Sequence, residues 1–100
     1  MELRDRVAVI TGGSGGIGRA LAKAFLDEGA SAVVIADLDE SAVNEAAEAL
    51  GCDSSVCDVT DESQVAALVD KTIEQHGRID LFCSNAGAGV AGLLTDAPND

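Results

Sequence analysis

Two groups of residues in this chain have types and spacing that can do chemistry on a ligand. The first is the glycine-rich run Gly12-Gly-Ser-Gly-Gly-Ile-Gly18, placed directly after the apolar stretch Val7-Ala-Val-Ile-Thr11. Glycines let a backbone turn tightly and approach a pyrophosphate that a Cβ would exclude. A helix starting there offers free N–H groups and a partial positive charge to the phosphates. The second is Asp37, at the end of the apolar run Ala32-Val-Val-Ile-Ala36 and nineteen positions beyond Gly18. That is close to the spacing of about 20 expected of a ribose-binding carboxylate. Such a carboxylate accepts hydrogen bonds from two ribose hydroxyls, and its charge repels a 2′-phosphate. Leu38, Asp39 and Glu40 follow it, with no basic neighbour, so the pattern predicts NAD rather than NADP. Glycine-rich turns also serve as plain connectors, and acids often end strands or begin turns. The complete unit of strand, turn, helix and acid favours the dinucleotide.

Apolar periodicity supplies the elements that must position these groups. Strands are predicted near residues 7–11, 31–36, 54–57 and 79–84, and helices near 16–28, 40–50 and 62–76. Strict alternation of this kind means a parallel sheet with right-handed crossovers. The third helix is the clearest, with Val65, Leu68, Val69, Thr72 and Ile73 on one face, Asp61 placed to cap it and Gly77 to stop it. Val43, Ala46, Ala47 and Leu50 repeat the spacing in the second. Residues 88–94 read as a connecting loop that could floor a pocket, and 95–100 as a Pro-containing loop segment.

Composition sets the outer limits. One hundred residues that are 47% hydrophobic suit one globular domain with a small core and argue against disorder. A net charge of −12 with six basic residues argues against nucleic acid or an anionic membrane as partner, since phosphate backbones need clustered Lys and Arg. The acids instead read as solvated outer faces of helices. No apolar stretch is long enough for a membrane span or shaped like a secretory signal, so a soluble, cytoplasmic protein is expected. Cys52, Cys57 and Cys83 form no C-x-x-C pair and leave one unpaired in any disulfide scheme, as in a reducing compartment; burial as small hydrophobes is their ordinary reading. His76 closes its helix with no second metal-ligand candidate nearby, and no metal is expected.

The glycines fit two registers: Gly13, Gly15 and Gly18 satisfy G-x-G-x-x-G, while Gly12, Gly16 and Gly18 satisfy T-G-x-x-x-G-x-G. Two further motifs decide between them, Asp58-Val-Thr60 after the third apolar stretch and Ser84-Asn-Ala-Gly87 after the fourth. With these, the chain resembles the short-chain dehydrogenase/reductase family across practically its whole length, because four ordered motifs match. The resemblance implies a Rossmann-type, doubly wound α/β fold in three layers, of which these residues supply the first four strands and three helices in sheet order 3-2-1-4. The fourth strand would then be an edge exposing Leu81 and Phe82. It also implies roles: Gly12, Gly16 and Gly18 shape the turn, and the Ser14 and Ile17 backbone lies near the phosphates. Asp37 binds the adenosine ribose with Leu38 beside it, Asp58 the adenine amino group and Val59 the adenine ring, while Asn85, Ala86 and Gly87 line the cofactor and steady the central strands. NADP users of the family commonly carry a basic residue where this chain has Gly15 or Leu38, which again favours NAD.

The activity implied is hydride transfer between the nicotinamide and a carbonyl or alcohol carbon of a small-molecule substrate, with a Tyr as general acid or base and a Lys lowering its pKa. This sequence contains no Tyr, and its lysines, Lys23 and Lys71, fall on predicted surface helices. The family's catalytic Ser, Tyr and Lys lie downstream of the matching region. Residues 1–100 are therefore expected to be a single NAD-binding unit, the N-terminal part of a longer domain that assembles as a dimer or tetramer, rather than a genuine truncation. A non-catalytic dinucleotide-binding module or pseudoenzyme would share every residue. S-adenosylmethionine-dependent methyltransfer also uses a glycine-rich turn and an acid, but the Thr11-Gly12 start and Asn85-Ala-Gly87 speak against it.

Overall fold

Apolar residues that alternate with neither period 2 nor 3.6 belong in a sheet covered on both faces. Val7–Thr11 (β1) is buried at every position, and Ala32–Asp37 (β2) at its four central ones. The computed structural model describes residues 3–12, 14–84 and 93–95. Between the strands run Gly16–Asp27 (α1), Glu40–Leu50 (α2) and Glu62–His76 (α3), with Asp53–Val56 (β3) and Leu81–Ser84 (β4) completing the alternation. A short strand, Leu93–Thr95 (β5), closes the series. The sheet order is β3-β2-β1-β4-β5, with β1 to β4 parallel. This is a Rossmann-like α/β sheet, in the order the motifs implied.

Helices cover the two faces to make three layers. On one side Ala22 and Phe25 of α1 and Val43, Ala46 and Ala47 of α2 pack with Ala8, Ile10, Val33 and Ile35. The alanines of α2 bring the helix close to the strands, as their small volume allows. On the other side Leu68 of α3 packs with Val9, Val34, Ala36 and Cys57, and Val65 adds partial cover. The apolar face of α3 is only half closed: Leu68 and Thr72 are buried, whereas Ile73 is 45% exposed.

Local chemistry explains the helix boundaries. Asp39 caps α2 by accepting from the Ala42 amide, and Asp61 caps α3 by accepting from that of Ser63. Gly77 ends α3 in a left-handed conformation, φ 84°, that a side chain would resist.

One expectation fails. β4 is not a bare edge, because β5 pairs with it antiparallel, Leu81 opposite Thr95 and Cys83 opposite Leu93. Leu81 is only 3% exposed and Phe82 is partly buried. An antiparallel neighbour needs no long crossover, so the segment read as a connecting loop can return directly along β4. The loop reading of 88–94 and 95–100 is corrected accordingly at Leu93, Leu94 and Thr95.

Candidate functional site

The carboxyl ends of β1, β2 and β3 bring the motif residues to one edge of the sheet, where parallel α/β folds bind their ligands. Gly12 follows β1 with φ 69°, a turn conformation that favours glycine. The chain then enters α1 at Gly15, whose carbonyl accepts from the Arg19 amide at 2.9 Å. Among the described residues no side chain caps this helix, in contrast to α2 and α3, and its first turn contains no acid. Its leading N–H groups and positive dipole end thus have neither a side-chain cap nor an acid of the helix's own first turn to neutralise them. A Cβ built on Gly16 would meet no atom within 4 Å. Among the described residues nothing forbids a side chain there, so the open space beside the turn is space that a phosphate can use. Gly18 is buried and Ile17 is 52% exposed.

Asp37, the last residue of β2, turns its carboxylate toward the glycine turn. Its Oδ2 accepts from the Ser14 amide at 3.1 Å and from the Ser14 hydroxyl, and its Oδ1 accepts from the Leu38 amide at 2.8 Å. Partial burial pushes the carboxyl up, but these hydrogen bonds outweigh it and hold the group below the usual carboxylate range, ionised at neutral pH.

A cleft of about 260 Å³ opens here, lined by Gly12, Asp37, Leu38, Cys57, Asp58, Val59 and Thr60. Leu38, 66% exposed, contributes an apolar wall and Val59 another. Asp58 accepts from the Thr60 amide at 2.9 Å and the Thr60 hydroxyl at 2.6 Å, which lowers its pKa. Its carboxylate thus closes its own turn, and its amide donates to Gln64 Oε1 at 2.8 Å. An acid, two apolar walls and a glycine turn suit an adenosine better than they suit a purely anionic or purely apolar ligand.

Five expected residues, Gly12, Asp37, Leu38, Asp58 and Val59, line one cleft, with Ser14 attached through Asp37 and Gly16 to Gly18 opening the adjacent helix. The Ser14 amide and hydroxyl both donate to Asp37, so the turn and the acid form one unit. Gly13, Asn85, Ala86 and Gly87 lie outside the described residues.

Sequence reasoning missed Asp80. It stands before β4 at the opposite edge of the sheet and accepts from the Val7 amide at 2.9 Å and from Arg78 at 2.8 Å, with Arg6 at 3.4 Å. Chiefly through Arg78, its pKa falls to about 2. The Arg78-Ile-Asp80 step just before an apolar run was the available signal. Thr11 was also unread; its hydroxyl donates to the Cys83 carbonyl at 3.3 Å and ties β1 to β4. His76 pairs with Asp53 at 3.0 Å. Among the described residues no group of three or more His, Cys, Asp or Glu could hold a metal, and no helix is long and apolar enough to cross a membrane.

Comparison with known proteins agrees with this geometry. The model of the short chain dehydrogenase family matches residues 6–100. (+)-Borneol dehydrogenase 1 of Salvia officinalis is 48% identical over 88 residues, which are 86% of this chain and 34% of that protein. A short chain dehydrogenase from Mycobacterium smegmatis superposes with a TM-score of 0.82 at 38% identity, over 88% of this chain and 39% of its own. An NAD+-bound xylitol dehydrogenase superposes with a TM-score of 0.78 at 31% identity, over 88% and 35%. The chain thus spans about a third of the length of relatives it matches. A family match over nearly all of its residues, with the glycine turn and acid in place on a parallel sheet, makes this chain a member of the short-chain dehydrogenase family.

Proposed function

We propose that these residues form the cofactor-binding part of an NAD(H)-dependent oxidoreductase that transfers hydride between the nicotinamide and a carbonyl or alcohol substrate. The observation that carries the reading is the ionised Asp37 at the mouth of the cleft, fixed beside an uncapped helix start. The α1 amides receive the pyrophosphate, Asp37 accepts from the adenosine ribose, and Leu38 and Val59 flank the adenine beside Asp58. When bound, NAD supplies the carbon that gains or releases hydride. Since the sequence has no tyrosine, the proton donor at the carbonyl comes from residues outside these hundred, and the unit is part of a larger catalytic domain. Small-molecule alcohols or carbonyls, and assembly with further copies, belong to that domain.

Titration of the full chain with NADH and NADPH tests the cofactor assignment. NADH should bind more than tenfold tighter, a preference above about 1.4 kcal/mol. Asp37→Ala with Leu38→Arg should move the preference toward NADPH by removing repulsion and adding a phosphate partner. Equal affinities in the unaltered chain, or an unchanged ratio in the variant, would overturn it.

A further inference from the structure

Ser14 stands where the turn and the acid meet. Its amide and hydroxyl both donate to Asp37 Oδ2, and its carbonyl accepts from Arg19 Nε at 3.0 Å. Arg19 in turn lies 3.7 Å from Glu45 on α2. Ser14 is therefore gripped from both sides, by α1 through its carbonyl and by β2 through its donors. A lone carboxylate at a strand end can rotate about two side-chain bonds. Two donors from one residue on one oxygen remove that freedom and leave Oδ1, which takes the Leu38 amide, as the oxygen with capacity for a ribose hydroxyl.

We propose that Ser14 is a positioning residue for cofactor choice: by holding Asp37 Oδ2 it fixes the ribose carboxylate relative to the phosphate turn, so both recognition of a ribose hydroxyl and rejection of a 2′-phosphate depend on its hydroxyl. The proposal rests on the ribose reading of Asp37. A serine that merely shapes the turn would affect NADH and NADPH alike, because both carry the same pyrophosphate. A serine acting through Asp37 affects chiefly the cofactor whose ribose Asp37 holds.

The test is binding of NADH and NADPH to the full chain, measured for the unaltered protein, Ser14→Ala, Asp37→Ala, the double variant and Ser14→Thr. Ser14→Ala should weaken NADH by about five- to tenfold, the effect of losing one hydrogen bond of ordinary strength, and NADPH by less than about twofold. In the Asp37→Ala background the serine change should alter NADH binding by less than about twofold, since its partner is already gone. Ser14→Thr keeps the hydroxyl and should keep the preference. Equal losses for both cofactors, an undiminished loss in the double variant, or a threonine variant as indiscriminate as alanine would overturn the inference while leaving the ribose reading intact. An unchanged NADH to NADPH ratio in Asp37→Ala alone would remove the ribose reading, and the role of Ser14 with it.

Discussion

A valine at position 16 separates binding from folding at the glycine turn. Among the described residues a Cβ there meets no atom within 4 Å, so Gly16→Val should leave helical content largely intact and change stability by no more than about 1 kcal/mol. The same side chain fills the space assigned to the phosphates, and NADH affinity should fall at least tenfold, checked by circular dichroism and by titration. Wild-type affinity would mean that the phosphates lie elsewhere. Asp37 was legible because its distance from the last turn glycine is set by a helix and a strand of ordinary length. The hydroxyl of Ser14 was not, because a hydrogen bond across 23 residues leaves no periodic trace in sequence. The position of Asp58 in the cleft was legible, but its use by Thr60 is a matter of side-chain rotation that sequence does not encode.

Elements with caps could be read most closely. Residues 40–50 and 62–76 were expected as helices and are α2 and α3, each with an Asp before it and a Gly after. The three-residue β5 was missed, since so short a strand shows no period and takes its pairing from β4. The join between β1 and β4 yields the prediction at this scale. Asp80 titrates near 2 in the folded protein, against about 3.9 unfolded. A depressed folded value means that the stabilisation is present above the unfolded pKa and is lost as pH falls through the folded one, here between roughly pH 4 and pH 2. Asp80→Asn should therefore cost on the order of 1–2 kcal/mol at pH 7, after allowance for the half-exposed Arg78, and should flatten the decline below pH 4. Urea denaturation across that range measures both. A variant as stable as the parent at pH 7 would show that these strands are joined without help from Asp80.

For the molecule as a whole, the parallel sheet was legible in the alternation of its elements and the order of its first four strands in the family resemblance, while the partner of β4 was legible in neither. With Leu81 buried and β5 paired beside it, the fourth strand is not the bare apolar edge that the four-strand order implied. Without a tyrosine, the hundred residues given NADH and a panel of ketones should show no oxidation of the nicotinamide, because general acid help worth roughly 10² to 10⁴ in rate is missing. Substrate-dependent loss of NADH absorbance by the pure chain would overturn that mechanism. The two ends of the sheet also differ in how far the chain must travel to make them. Ser14 meets Asp37 across 23 residues, whereas Val7 meets Asp80 across 73. Closing the longer loop costs about 1 kcal/mol more chain entropy. Contacts between near neighbours in sequence are the ones a searching chain finds first. The acid and the turn at the mouth of the cleft are therefore joined at the smaller entropic cost, and the clasp at the far end of the sheet at the larger.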